Sequence, residues 1–331
     1  MAVASSYPDT AVDLDVYGPQ GRSEWQDVDW RAYQKWVEVD GKQVNVVDMG
    51  EGDPIVFIHG LSGSWQNWLE QLPAFARRHR VIAFDLPGFG QSPMPPEKIS
   101  IAGYGRLVDR LLDTLGVPRA VIVGNSMGGF IGAELAIQFP ERVERLVLVS
   151  AAGLTVEYQR DERVLAVLKH LEARLAAWSG WVGSRADNLA RRRRYRRMLM
   201  SIVAAHPDRL PAPLVAEQLR GSGKPGFVDA LDALTGYPIR DRLPRIAAPT
   251  LIVWGEDDFL IPVRDAYDFE RLIPDSRRVI YAGTGHVAML ERPDAFNALL
   301  EKFMAEEEGG PPADEGDVPG PEMEPPARQR R

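Results

Sequence analysis

Four short apolar runs, at 55–58, 81–84, 120–123 and 146–149, are separated by stretches of helical length and helical period. Apolar runs this short suit strands buried on both faces, and parallel strands need long crossovers, usually helices, between them. The pattern predicts an α/β fold: a mainly parallel sheet flanked by helices. A hairpin opens the pattern, because residues 36–47 alternate about Asp40-Gly41, a pair suited to a two-residue turn with positive φ. Strands resume at 250–254 and 278–281, and residues 295–304 read as a closing amphipathic helix.

Residues 155–240 lack any comparable β-branched run and show helical spacing at Val164, Leu165, Leu168, Leu171 and Leu175. They read as a helical insertion. The expected organisation is an irregular segment over 1–30, a core over 31–154 and 241–305, a helical cap over 155–240 and a tail over 306–331. That tail is rich in Pro, Gly and acid. It has too little apolar surface to offset the entropy of ordering and reads as disordered.

Charge narrows the function. The 331-residue chain has a net charge of −8, of which the tail supplies −5 through eight acidic residues and three arginines. The remainder is nearly balanced, which argues against a nucleic-acid binder, since such a protein needs a basic stripe to neutralise phosphates. No run approaches the ~18 uninterrupted apolar residues of a membrane span, so no transmembrane segment is expected. The first residues show neither a basic leader nor an apolar stretch, which predicts no signal peptide and a cytoplasmic location. With no Cys, disulfides, thiolate metal sites and cysteine nucleophiles are excluded. Arg191 to Arg197 places six arginines in seven residues. These read as a solvated face of the cap, with an intramolecular contact to the acidic tail as the alternative.

The chemistry centres on Gly124-Asn125-Ser126-Met127-Gly128, which follows the 120–123 run and opens a helix-like stretch. A strand turning abruptly into a helix strains the middle residue and crowds its neighbours, which calls for glycine on either side. Ser126 Oγ then projects above the sheet, next to a helix N-terminus that favours a developing anion. A serine hydroxyl needs a positioned base, itself oriented by a carboxylate. His286 follows the 278–281 strand, and Asp257 and Asp258 follow the 250–254 strand; each lies where open α/β sheets place their ligands. Asp258 is favoured over Asp257 as the acid. His59-Gly60-Leu61 follows the 55–58 strand, which makes the backbone N–H groups of Leu61 and Met127 the expected oxyanion donors. His59 reads as a shaper of its turn, and Asp85 as structural. Trp65, Trp68, Trp178, Trp181, Met198 and Met200 are candidates for an apolar acyl pocket.

Taken in order, His59-Gly60, Asp85-Leu-Pro-Gly-Phe-Gly-Gln-Ser92, Gly124-Asn-Ser-Met-Gly128, Trp254-Gly-Glu-Asp-Asp258 and Gly285-His286 resemble the α/β-hydrolase family over about residues 36–304. The resemblance implies a Ser126 nucleophile, His286 as base and Asp258 as the acid four residues before Pro262. It also implies an oxyanion hole from Leu61 and Met127, a helical cap that shapes the pocket, and no metal or organic cofactor. A serine nucleophile argues against the epoxide hydrolase and haloalkane dehalogenase branches, which use an aspartate. The expected activity is cleavage of carboxylic esters with an apolar acyl group. The Gly124-Asn-Ser-Met-Gly-Gly129 string is also similar to that of meta-cleavage-product hydrolases, which split carbon–carbon bonds. Those enzymes usually carry a Gly-Pro-Gly loop and a Trp after the histidine, where this chain has Leu61-Ser62-Gly63 and Val287. A slow-turnover ligand receptor on the same fold is a further alternative.

Overall fold

The computed structural model describes residues 8, 10–155 and 181–306. Eight strands form one sheet: β1 (Gln34–Val39), β2 (Lys42–Met49), β3 (Pro54–Ile58), β4 (Arg80–Phe84), β5 (Ala120–Asn125), β6 (Val143–Val149), β7 (Thr250–Gly255) and β8 (Ser276–Tyr281). Their spatial order is β1-β2-β4-β3-β5-β6-β7-β8. The β1–β2 and β2–β4 pairs are antiparallel, whereas every later pair is parallel. Asp40 and Gly41 join β1 to β2 with φ of 48° and 76°, the paired positive values a tight hairpin requires.

Ten α-helices lie wholly within the described residues: α1 (Leu72–Phe75), α2 (Ile101–Thr114), α3 (Met127–Gln138), α4 (Ala186–Ala190), α5 (Arg193–Met200), α6 (Ala212–Gly221), α7 (Phe227–Thr235), α8 (Arg264–Leu272), α9 (Ala288–Glu291) and α10 (Pro293–Met304). Side chains alternate across a strand, so β3 sends Val56 and Ile58 into one apolar cluster and Ile55 and Phe57 into the other. The first cluster includes α2, α3, α7 and α8; the second includes α1, α10 and the helices α4 to α6. Both faces are thus dry, which is why these strands read as continuous apolar runs. No helix among the described residues is long and apolar enough to cross a membrane.

Among the described residues, the N-terminal segment packs on the core through Tyr17 and Trp25, both buried. It contains a 3-10 turn at Glu24–Asp27, and Val12 pairs in parallel with Tyr281 of β8. Helices α4 to α7 lie between β6 and β7, and both stems of this insertion are tied to the core by buried carboxylates. At the outgoing stem, Asp265 of α8 accepts hydrogen bonds from the Thr155 N–H, at 2.7 Å, and from its hydroxyl. At the returning stem, Glu134 of α3, fully buried, binds Arg242 at 2.8 and 2.9 Å and accepts the Tyr237 hydroxyl at 2.7 Å. Removing one partner of such a pair strands a buried charge. Arg242→Met is expected to lose about 3 kcal/mol of stability in urea unfolding, with Glu134→Gln/Arg242→Met recovering most of it. A double variant no more stable than the single one would contradict this account.

The leucine spacing at 164–175, His170, Trp178 and the tail beyond Glu306 lie outside the described residues.

Candidate active site

Ser126 sits between β5 and α3 with φ 55° and ψ −116°, a backbone conformation that L-residues rarely adopt. The turn is held from three sides. Ser126 N–H donates to Val149 O at 2.9 Å, and Ser126 O accepts from the N–H groups of Phe130 and Ala152 at 3.1 and 3.0 Å. Its flanking residues have no room for a side chain: a Cβ on Gly124 would lie 2.2 Å from Gly128 O, and one on Gly128 would lie 2.1 Å from Ile58 O. The serine alone of this group is partly exposed, so the strain presents its hydroxyl at the carboxyl edge of the sheet.

His286 and Asp258 meet at that edge. The His286 Nδ1 lies 2.8 Å from Asp258 Oδ2, and the other carboxylate oxygen accepts the N–H groups of Leu260 and Ile261 at 2.9 and 3.0 Å. A carboxylate only accepts, so Nδ1 carries the proton and Nε2 is left as an acceptor. Both side chains are buried. Asp257, the other sequence candidate, is exposed, and its N–H donates to Thr284 O at 2.9 Å. Asn125, inside the glycine motif, fastens the two loops together by donating from Nδ2 to Val149 O and His286 O, each at 3.1 Å. Ser126 Oγ and His286 Nε2 make no hydrogen bond to each other among the described residues.

The Leu61 loop abuts the same turn, since a Cβ on Gly60 would lie 3.2 Å from Ser126 Cβ. Met127 is the first residue of α3, where N–H groups lack intrahelical acceptors. The Leu61 N–H has no hydrogen-bond partner among the described residues. His59 is committed elsewhere: Nδ1 donates to Gly60 O at 2.8 Å and Nε2 accepts the Leu86 N–H at 3.0 Å. Burial pushes its imidazole below the usual histidine range, against the opposing pull of Asp85. It is a neutral brace. Asp85 shapes the neighbouring turns by accepting from Asn45, Trp65 N–H and Gln91 N–H at 2.8, 2.9 and 2.8 Å.

Side chains the sequence did not mark also reach this loop. Gln218 of α6 accepts from Asn67 at 2.6 Å and donates to Gln66 O at 3.0 Å, which moors the insertion on the Leu61 loop. Nothing in local spacing signals a pairing across 151 residues. Of the proposed pocket aromatics, Trp65 and Trp68 are buried in the second apolar cluster and pack rather than line a cavity. Trp181 is 44% exposed and lies under the Arg185 guanidinium, and Met198 is 58% exposed. A recess of about 300 Å³ opens onto His286 between residues 201–206 and the Asp257–Phe259 loop. In α5, Arg193 and Arg197 share Asp208, and the acidic tail, the alternative partner of this arginine run, lies outside the described residues.

A family profile described as the alpha/beta hydrolase fold matches residues 53–293. The chain belongs to this family. This α/β hydrolase is 31% identical over 285 residues to a 2-hydroxymuconate semialdehyde hydrolase of Pseudomonas sp., a match covering 80% of this chain and 92% of that protein. A solved meta-cleavage product hydrolase is similar at 27% identity and a TM-score of 0.63, over 82% of this chain and 97% of the other. A solved N-acyl homoserine lactone degrading enzyme is similar at 30% identity and a TM-score of 0.64, over 81% of this chain and all of the other, 100%.

Proposed function

We propose that this α/β hydrolase is a serine hydrolase that cleaves carboxylic esters through an acyl-enzyme. The observation that carries the reading is the oriented Asp258–His286 pair, 2.8 Å apart, beside a serine held on a strained turn. His286 Nε2 takes the Ser126 proton as Oγ attacks the acyl carbon, and the Leu61 and Met127 N–H groups stabilise the oxyanion. His286 then returns the proton to the leaving alkoxide. Water, activated by the same imidazole, hydrolyses the acyl-enzyme and restores the serine. The Asp258 carboxylate stabilises the imidazolium formed at each step. No metal or cofactor enters this scheme. The described helices α4 to α7 serve as the cap over the site, and the lactone-degrading relative, whose substrate is a cyclic ester, supports the ester reading.

A second reading, carbon–carbon hydrolysis, is favoured by the likeness to the 2-hydroxymuconate semialdehyde hydrolase. Val287 after the histidine and Leu61-Ser62-Gly63 in the oxyanion loop weigh against it. The two are separated by measuring kcat/KM for a chain-length series of nitrophenyl esters beside 2-hydroxymuconate semialdehyde. Higher kcat/KM for an ester is expected. Turnover of the semialdehyde with esters left untouched would overturn the ester reading, and binding of either without turnover would favour the receptor alternative.

A further inference from the structure

The loop carrying His286 is held by a side chain that takes no part in the scheme above. Glu291, at the end of α9 and fully buried, turns back on the loop. Its Oε2 accepts the Gly285 N–H at 3.0 Å, the Ala205 N–H at 2.8 Å and the Tyr17 hydroxyl at 2.5 Å. Its Oε1 accepts the N–H groups of Gly285 and Val287 at 3.0 and 3.3 Å. The amides on both sides of His286 therefore converge on one carboxylate. His286 itself donates its N–H to Val203 O at 2.9 Å and receives Asn125 at its carbonyl.

Tyr17 comes from the far end of the chain and its hydroxyl bonds twice, also accepting the His206 N–H at 2.8 Å. The run around it follows the histidine loop closely. Val12 pairs with β8, Arg292 donates to Leu14 O and Val16 O at 2.9 and 2.5 Å, and Gly18 N–H donates to Glu291 O at 2.6 Å. Residues 12–18 lie outside the 53–293 stretch matched by the family profile.

We propose that Tyr17 and Glu291 are positioning residues, through which the N-terminal strap sets the His286 loop against Ser126. Every neighbour of the carboxylate is a donor, and hydrogen bonds to an ionised acceptor are roughly twice as strong as neutral ones. A glutamine at 291 would turn an NH2 toward backbone N–H groups, donor against donor, and the loop must shift. Phenylalanine at 17 removes both the donor to Glu291 and the acceptor of the His206 N–H, which loosens the strap's hold on the loop and the insertion. Burial raises the Glu291 carboxyl above the ordinary range while these donors oppose the rise, so each lost donor also weakens the hold of the ionised group.

This inference rests on the serine-hydrolase reading, and the test separates the two. Full-length wild type, Tyr17→Phe, Glu291→Gln and Tyr281→Phe are treated with a fluorophosphonate well below their unfolding temperatures, and ester kcat and KM are measured in parallel. Tyr281, buried with a hydroxyl that finds no partner among the described residues, controls for loss of a buried phenol. A general base displaced by about 1 Å costs on the order of 100-fold, so Glu291→Gln is expected to slow labelling and kcat by about that factor and Tyr17→Phe by about tenfold. KM stays within about twofold, because ground-state binding is untouched. The downfield proton resonance between His286 and Asp258 broadens in both variants and stays sharp in Tyr281→Phe. Folded Tyr17→Phe that labels and turns over like wild type overturns the proposal, even if Glu291→Gln fails to fold. Wild type that resists the probe, while the variants still broaden the His286 resonance, keeps the positioning role and overturns the serine-ester reading.

Discussion

Ser126→Ala is expected to lower ester turnover by four to six powers of ten, on the order of what removing a triad serine costs elsewhere. The residual rate reports what the oxyanion donors and binding supply without the nucleophile. Mass spectrometry after fluorophosphonate treatment should find the adduct on Ser126 in wild type and none in the variant. Alanine keeps the strained φ of 55°, so the fold gains nothing from it. Ser126→Gly should be equally inactive yet more stable by about 1 kcal/mol, since glycine adopts this conformation without a Cβ penalty. That pair of results would show strain retained for the position of a hydroxyl. Unchanged turnover in Ser126→Ala would eliminate the acyl-enzyme altogether.

The second large effect concerns the proton on His286. In Asp258→Asn the amide oxygen can still accept the Leu260 and Ile261 N–H groups, now at 2.9 and 3.0 Å from Oδ1. Its NH2 must then face His286, which forces Nδ1 to accept and Nε2 to carry the proton. Such an imidazole cannot take a proton from Ser126. The expected loss in kcat is about 10⁴-fold, with little change in stability, by analogy with the same substitution in other triads. Asp257→Asn changes an exposed side chain and should cost far less. If the two aspartates gave equal losses, the assignment of the acid would fail.

The parts of this molecule that can be read from sequence are those set by local rules. Strands β3 to β6 are legible because burial on both faces leaves a continuous apolar signature, and the turn at Ser126 because crowding permits only glycine on either side. The choice between Asp257 and Asp258 depends on which side chain points inward, a matter of one residue of register at a loop that spacing alone leaves open. The strap is invisible for another reason: Tyr17 and Glu291 meet across 274 residues, and neither sits in a periodic pattern. Residues 1–30 accordingly read as irregular, although Tyr17 and Trp25 are buried. Likewise Trp65 and Trp68 follow the Leu61 loop in sequence, yet the turn fixed by Asp85 directs them into the core.

The pairing of Val12 with β8 has a consequence for the molecule in company. A terminal strand of a sheet offers unpaired amides and carbonyls to any other extended chain, and proteins that stay apart must blunt it. Here Val12 N–H donates to Ile280 O at 2.7 Å and Val12 O accepts from Ala282 N–H at 2.9 Å, so the site-bearing end of β8 is already occupied. At the opposite margin β1 turns Lys35 and Glu38 outward beside a half-exposed Trp36, charges that discourage a second copy from adding on. Proteolytic trimming of the first dozen or so residues would strip one of these guards and bare the Ile280 carbonyl and Ala282 amide to another extended chain.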